Sequence, residues 1–161
     1  MPYTVDVQST SRFPAPLLRA VAAASHAAMT HQGVAEGAAL TILLTDDDYI
    51  RQLNMQYRGE DHATDVLSFP SGEPMPGVEE QAEYLGDIAI AVPFAQRQAA
   101  ARGHDATAEM QLLAVHWVLH LLGYDHLDVD EKAAMWQAQA DILRALGLDG
   151  IQPTEEDYDA P

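Results

Sequence analysis

The run His116-Trp117-Val118-Leu119-His120-Leu121-Leu122-Gly123-Tyr124-Asp125-His126 constrains this chain more than any other stretch. Its apolar members, with Leu112, Leu113 and Val115 ahead of them, suit a long helix central to the fold. On such a helix residues i and i+4 share a face, with Cβ atoms roughly 5–6 Å apart, so His116 and His120 point two imidazoles at one place. Gly123 is placed to end the helix in the left-handed conformation that glycine adopts cheaply. The chain can then turn back and bring His126 to the same point. Burying imidazoles without partners costs free energy for each polar group, and a metal ion removes that cost. Three neutral imidazoles leave a fourth position for water, the ligand count of a catalytic zinc. All-imidazole ligation favours zinc over harder cations, with nickel and copper also compatible.

The same residues exclude one familiar chemistry. A metalloprotease of the His-Glu-x-x-His type carries its general base directly after the first histidine. Here that position is Trp117, which takes no proton from water.

Two further segments complete a pattern. Asn54-x-x-Tyr57-Arg58 is followed by Thr64-Asp65-Val66-Leu67-Ser68-Phe69-Pro70, and then by Leu85-Gly86-Asp87-Ile88-Ala89-Ile90. With the histidine run, these blocks resemble the YbeY family, bacterial zinc-dependent endoribonucleases of ribosomal RNA maturation. The resemblance extends from Asn54 to His126, and the first fifty residues carry no diagnostic motif. It implies a zincin-like domain with a central metal helix against a mixed sheet of about four strands. It also implies one zinc per chain and single-strand-specific cleavage in maturation of the small-subunit ribosomal RNA 3′ end and in ribosome quality control. Two positions depart from the family pattern: Trp117 stands where glycine is usual, and Ala63 where proline is usual. The first sets a large ring beside the first ligand.

Length suits one domain with a real core: 161 residues, 48% of them apolar. Residues 1–147 are expected to form a single metal-dependent hydrolase domain, and 148–161 an acidic tail. No charged-then-apolar leader is evident, nor any apolar run near the ~20 residues of a membrane span. The absence of cysteine removes disulfides and thiolate metal sites. The cytoplasm is the expected compartment, with no membrane partner.

Charge sits awkwardly with a nucleic-acid enzyme. Eight basic residues face twenty-five acidic ones, for a formal net charge of −17, whereas phosphate binding draws on clustered Lys and Arg. The basic residues are scattered. Affinity for naked RNA is therefore expected to be weak, with the ribosome or its small subunit supplying local concentration to a single-stranded RNA or rRNA precursor. No DNA partner is expected.

The pattern of elements is α+β. Strands are expected at Tyr3–Val7, Leu40–Leu44, Val66–Phe69 and Tyr84–Val92, and helices at about 14–31, 46–57, 93–102 and 107–122. Asp128-x-x-Glu131 resembles a capping box opening a last helix to about Leu146. Residues 71–83 read as a loop rich in Pro, Gly and Glu.

Zinc lowers the pKa of bound water to roughly 7, and phosphodiester cleavage further needs a cation near the non-bridging oxygens. Arg58 is the candidate, since its planar fork suits phosphate; the alternative is a salt bridge to Asp65 or Asp87. Asp125 is either an acceptor behind a histidine N–H or a turn residue at the helix end. Asp87, expected to be buried on an apolar strand, orients a ligand or Arg58 or serves as base, and the residues alone leave these open. The base could equally be the RNA's own 2′-hydroxyl. His26, His31, His62 and His104 are read as bystanders, with His62 near enough to the second block to touch substrate. Two other functions stay open: a ribosome-assembly factor with a structural zinc and little catalysis, and a zinc peptidase or amidase.

Overall fold

A computed structural model describes residues 3–71, 84–124, 129–148 and 151. Alternation in the first fifty residues produces β1 (Thr4–Ser9), α1 (Ala15–His31) and β2 (Ala39–Thr45). Next come α2 (Asp47–Arg58), β3 (Val66–Pro70), β4 (Tyr84–Ala91), α3 (Val92–Arg102), α4 (Ala106–Leu121) and α5 (Val129–Ala145). The strands form one sheet in the order β1-β2-β4-β3, with β1, β2 and β4 parallel and β3 antiparallel on the edge. This is the α+β domain and four-stranded mixed sheet expected from the sequence.

The two faces of the sheet follow from the period-two alternation of strands. Leu40, Ile42, Leu44, Ile88 and Ile90 point to one side, into a core shared with α1, α4 and α5. Ala89, Ala91 and Leu67 point to the other, against Ile50 of α2. Helix α4 packs on α1, α3, α5 and the sheet, with Leu112, Leu113, Val115, Val118 and Leu119 wholly buried. Each such side chain contributes about 1.5–3 kcal/mol over an exposed one, so the histidines sit on a well-anchored element.

Local signals explain the helix ends. Asp46 caps α2 by accepting from the Tyr49 N–H at 2.8 Å, with Asp47 and Asp48 in the first turn, where carboxylates favour the dipole. Asp105 caps α4 through the Ala108 N–H at 3.1 Å. Gly123 lies at φ +104°, and the Tyr124 N–H reaches back to the Leu119 carbonyl at 3.1 Å, closing α4 as its glycine foretold. Gly86 is required for a different reason. A Cβ there would lie 2.4 Å from the Phe69 carbonyl oxygen and 3.0 Å from the Pro70 Cα, so a side chain would push β3 off the sheet.

Among the described residues no helix is long and apolar enough to cross a membrane. Asp125, His126 and the capping-box Asp128 lie outside the described residues, as do loop residues 72–83 and most of the acidic tail.

Candidate active site

His116 and His120 lie one turn apart on α4, with ring centroids 5.0 Å apart and planes at 68°. The spacing therefore brings the two imidazoles together as expected. His116 is fully buried, and the Nε2 atoms of both rings are buried. Trp117 forms one wall: its indole stacks on His120 at 4.7 Å and meets His116 edge-on at 5.4 Å. Trp136 of α5 lies 5.9 Å from His116.

Helix α5 adds a residue that sequence reasoning missed. Gln139 Oε1 accepts from His116 Nδ1 at 2.8 Å, and both side chains are buried. The available signal was a lone polar residue within the stripe Met135, Ala138, Ile142 and Leu143. With Nδ1 carrying the proton, the His116 lone pair lies on Nε2. Neutral imidazole nitrogens are donors that zinc takes, so the pair fits a metal that His116 and His120 would hold with a further ligand. Among the described residues no three His, Cys, Asp or Glu converge on one point; His126 falls outside them.

Arg58 ends α2, exposed, and makes no hydrogen bond or ion pair among the described residues, so it bridges neither Asp65 nor Asp87. Its block is held by a neighbour. Asn54 is buried, donating to the His62 carbonyl at 2.9 Å and accepting the Glu60 N–H at 3.3 Å on its own carbonyl. That clamp fixes the loop leading from Arg58 to β3.

Asp87 differs from the expectation of a buried carboxylate: it is exposed. Its position on β4 alternates with Ala89 and Ala91 onto the α2 face, beyond the part that α2 covers, in a groove with Tyr49, Leu53, Tyr57 and Phe69. The Tyr84 hydroxyl donates to Asp87 and lies 2.8 Å from Thr41 Oγ1. Burial, then the Asp87 carboxylate, raises the Tyr84 phenol above its ordinary pKa. The sheet thus separates Asp87 from His116 and His120, and the three are not brought together.

Other titratable groups act structurally. Glu109, wholly buried near the start of α4, binds both Arg102 and His104, which gives the bystander His104 a partner. Asp65, where β3 begins, is pushed above the usual carboxylate range by burial, against hydrogen bonds from Thr64 and neighbouring groups. Tyr124 packs against the main core at the end of α4.

An α+β domain with paired imidazoles on its central helix is the class that fold and site define. Comparison with known proteins sharpens it. A family model described as Endoribonuclease YbeY matches residues 5–147, and this chain belongs to that family. Curated relatives named Endoribonuclease YbeY include one from Desulforamulus reducens, 45% identical over 82% of this chain and 88% of its own. Another, from Deinococcus radiodurans, is 47% identical over 76% and 77%. The solution structure of TM1509 from Thermotoga maritima shares the fold at a TM-score of 0.60 and 20% identity, covering 94% of this chain and 97% of its own.

Proposed function

We propose that this chain is a zinc-dependent, single-strand-specific endoribonuclease acting on ribosomal RNA, with the 3′ end of the small-subunit RNA as substrate. The observation that carries the reading is the His116–His120 pair, buried on the central helix of a YbeY-family domain. His116, His120 and His126 would hold one zinc. Bound there, zinc would supply a water of lowered pKa and polarise a phosphoryl oxygen. Arg58, exposed and free of carboxylate partners among the described residues, is a group suited to a non-bridging phosphate oxygen. The domain is residues 1–147, with 148–161 an acidic appendage.

A net charge of −17 opposes tight binding of free RNA. The ribosome or its small subunit, in the cytoplasm, then supplies local concentration. The test is cleavage of an end-labelled single-stranded RNA spanning a small-subunit 3′ end, with zinc present, alone and with ribosomes. Cleavage by the wild type and none by His120→Ala is expected. Equal cleavage by both proteins, or by neither in both settings, would sink the reading. A free 3′-hydroxyl on the upstream product would exclude attack by the RNA's own 2′-hydroxyl.

A further inference from the structure

We infer that Gln139 is the positioning residue of the metal helix, holding His116 in the one tautomer able to ligate through Nε2. The inference rests on the reading of His116 as a ligand and deepens it. Gln139 is 1% exposed and His116 0%. Burying either polar group alone, on facing apolar surfaces of α4 and α5, would cost free energy. Their 2.8 Å hydrogen bond offsets the cost for both.

The direction of that bond decides the chemistry. With Oε1 as acceptor, the imidazole carries its proton on Nδ1, and Nε2 keeps a lone pair. With the amide reversed, its NH2 would donate to Nδ1, the proton would move to Nε2, and that nitrogen could not ligate. The same bond fixes the rotation of the ring about Cβ–Cγ, so that α5 sets the aim of a side chain on α4. Partners of this kind behind metal-ligating histidines are worth 10–100-fold in affinity. An amide accepts without adding charge, so Gln139 holds the tautomer with less increase in ligand basicity than a carboxylate would give.

Two measurements test this on the full-length protein. The first is the imidazole nitrogen spectrum of the metal-free wild type at a pH where the rings are neutral, with His116 assigned against His116→Asn. A proton on Nδ1 of His116 is expected; a proton on Nε2 overturns the inference, and no Gln139 variant need fold to show it. The second is zinc affinity by chelator competition for wild type, Gln139→Met and Gln139→Glu. Gln139→Met should bind about 10–100-fold more weakly, and Gln139→Glu, which keeps an acceptor and raises ligand basicity, should bind no more than about threefold more weakly than wild type. A Gln139→Met affinity within about threefold of wild type overturns the role of Gln139 while leaving the metal reading intact. Absence of zinc binding by the wild type overturns both.

Discussion

The indole of Trp117 is stacked on the imidazole of His120, with ring centroids 4.7 Å apart and planes inclined by 25°. Its Nε1–H is buried and has no hydrogen-bond partner among the described residues. The ring is therefore held by packing rather than by its polar edge, and it limits the rotamers open to His120.

Trp117→Phe should accordingly be tolerated, because it keeps an aromatic face on His120 and removes an unsatisfied donor. Trp117→Gly restores the residue implied by the family pattern but costs stability here. A mid-helix glycine loses about 1 kcal/mol, and loss of a half-buried aromatic adds about 2 kcal/mol, somewhat below the full-burial range. Thermal melts of the metal-free proteins check this, at about 2–4 °C per kcal/mol for a domain of this size. Melting of Trp117→Gly together with wild type would show that the stack contributes nothing to the fold.

Arg58 should behave in the opposite way. An exposed arginine with no ion pair among the described residues can be removed with stability unchanged to about 0.5 kcal/mol. Loss of a cation from a phosphate site costs about 10²–10³ in turnover. Arg58→Ala is thus expected to melt like wild type while cleaving RNA at least about 100-fold more slowly, and Arg58→Lys to recover part of the loss. Wild-type turnover in Arg58→Ala, measured on the same RNA, would remove this residue from the reaction.

Much of the fold was legible because its signals are local. Asp46 and Gly123 mark helix ends through their own backbone chemistry, and alternation along β4 announces a strand whichever partner it finds. The i, i+4 histidines needed only a helix to meet. What stayed hidden depends on chain segments far apart. Gln139 reaches His116 across twenty-three positions, and no periodicity on either helix reveals that contact. Asp87 misled for a related reason: an apolar strand suggests burial, but α2 covers only part of the face onto which Asp87 alternates. Gly86 carried its reason in register, since it is the pairing with Pro70 that leaves no room for a Cβ.

Glu109 ties the end of α3 to the start of α4 by binding Arg102 and His104 with no exposure of its own. Removing one member of a buried charged cluster takes a partner from the others. Arg102 and His104 keep 17% and 16% exposure, so water relieves part of that penalty. Glu109→Gln is expected to lose about 2 kcal/mol, below the range for a fully enclosed pair. Salt should change that loss little, since burial limits screening. The exposed Arg51–Asp61 pair supplies the contrast: Asp61→Asn should move the urea midpoint far less, and whatever shift it causes should fade with added salt. Equal shifts for the two variants would mean that burial of Glu109 adds nothing.

Asp65 gives a prediction with a definite pH sign. Burial is the main cause raising its pKa above 3.8, and hydrogen bonds from Thr64, the Val66 backbone and Gln98 offset it in part. The folded chain therefore binds this proton more tightly than the unfolded chain does. Above the raised pKa the folded state carries the full cost of burying a charge. As pH falls through that pKa toward 3.8 the cost is relieved, and below 3.8 it is gone because both states are protonated. Asp65→Asn removes the charge at every pH while keeping the oxygen that accepts from Thr64 at 3.3 Å. The variant should unfold at higher urea than wild type near neutral pH, and the gap should close as pH approaches 3.8. A gap of the same size at both ends of that range would show that the substitution acts through packing rather than through the carboxylate's charge.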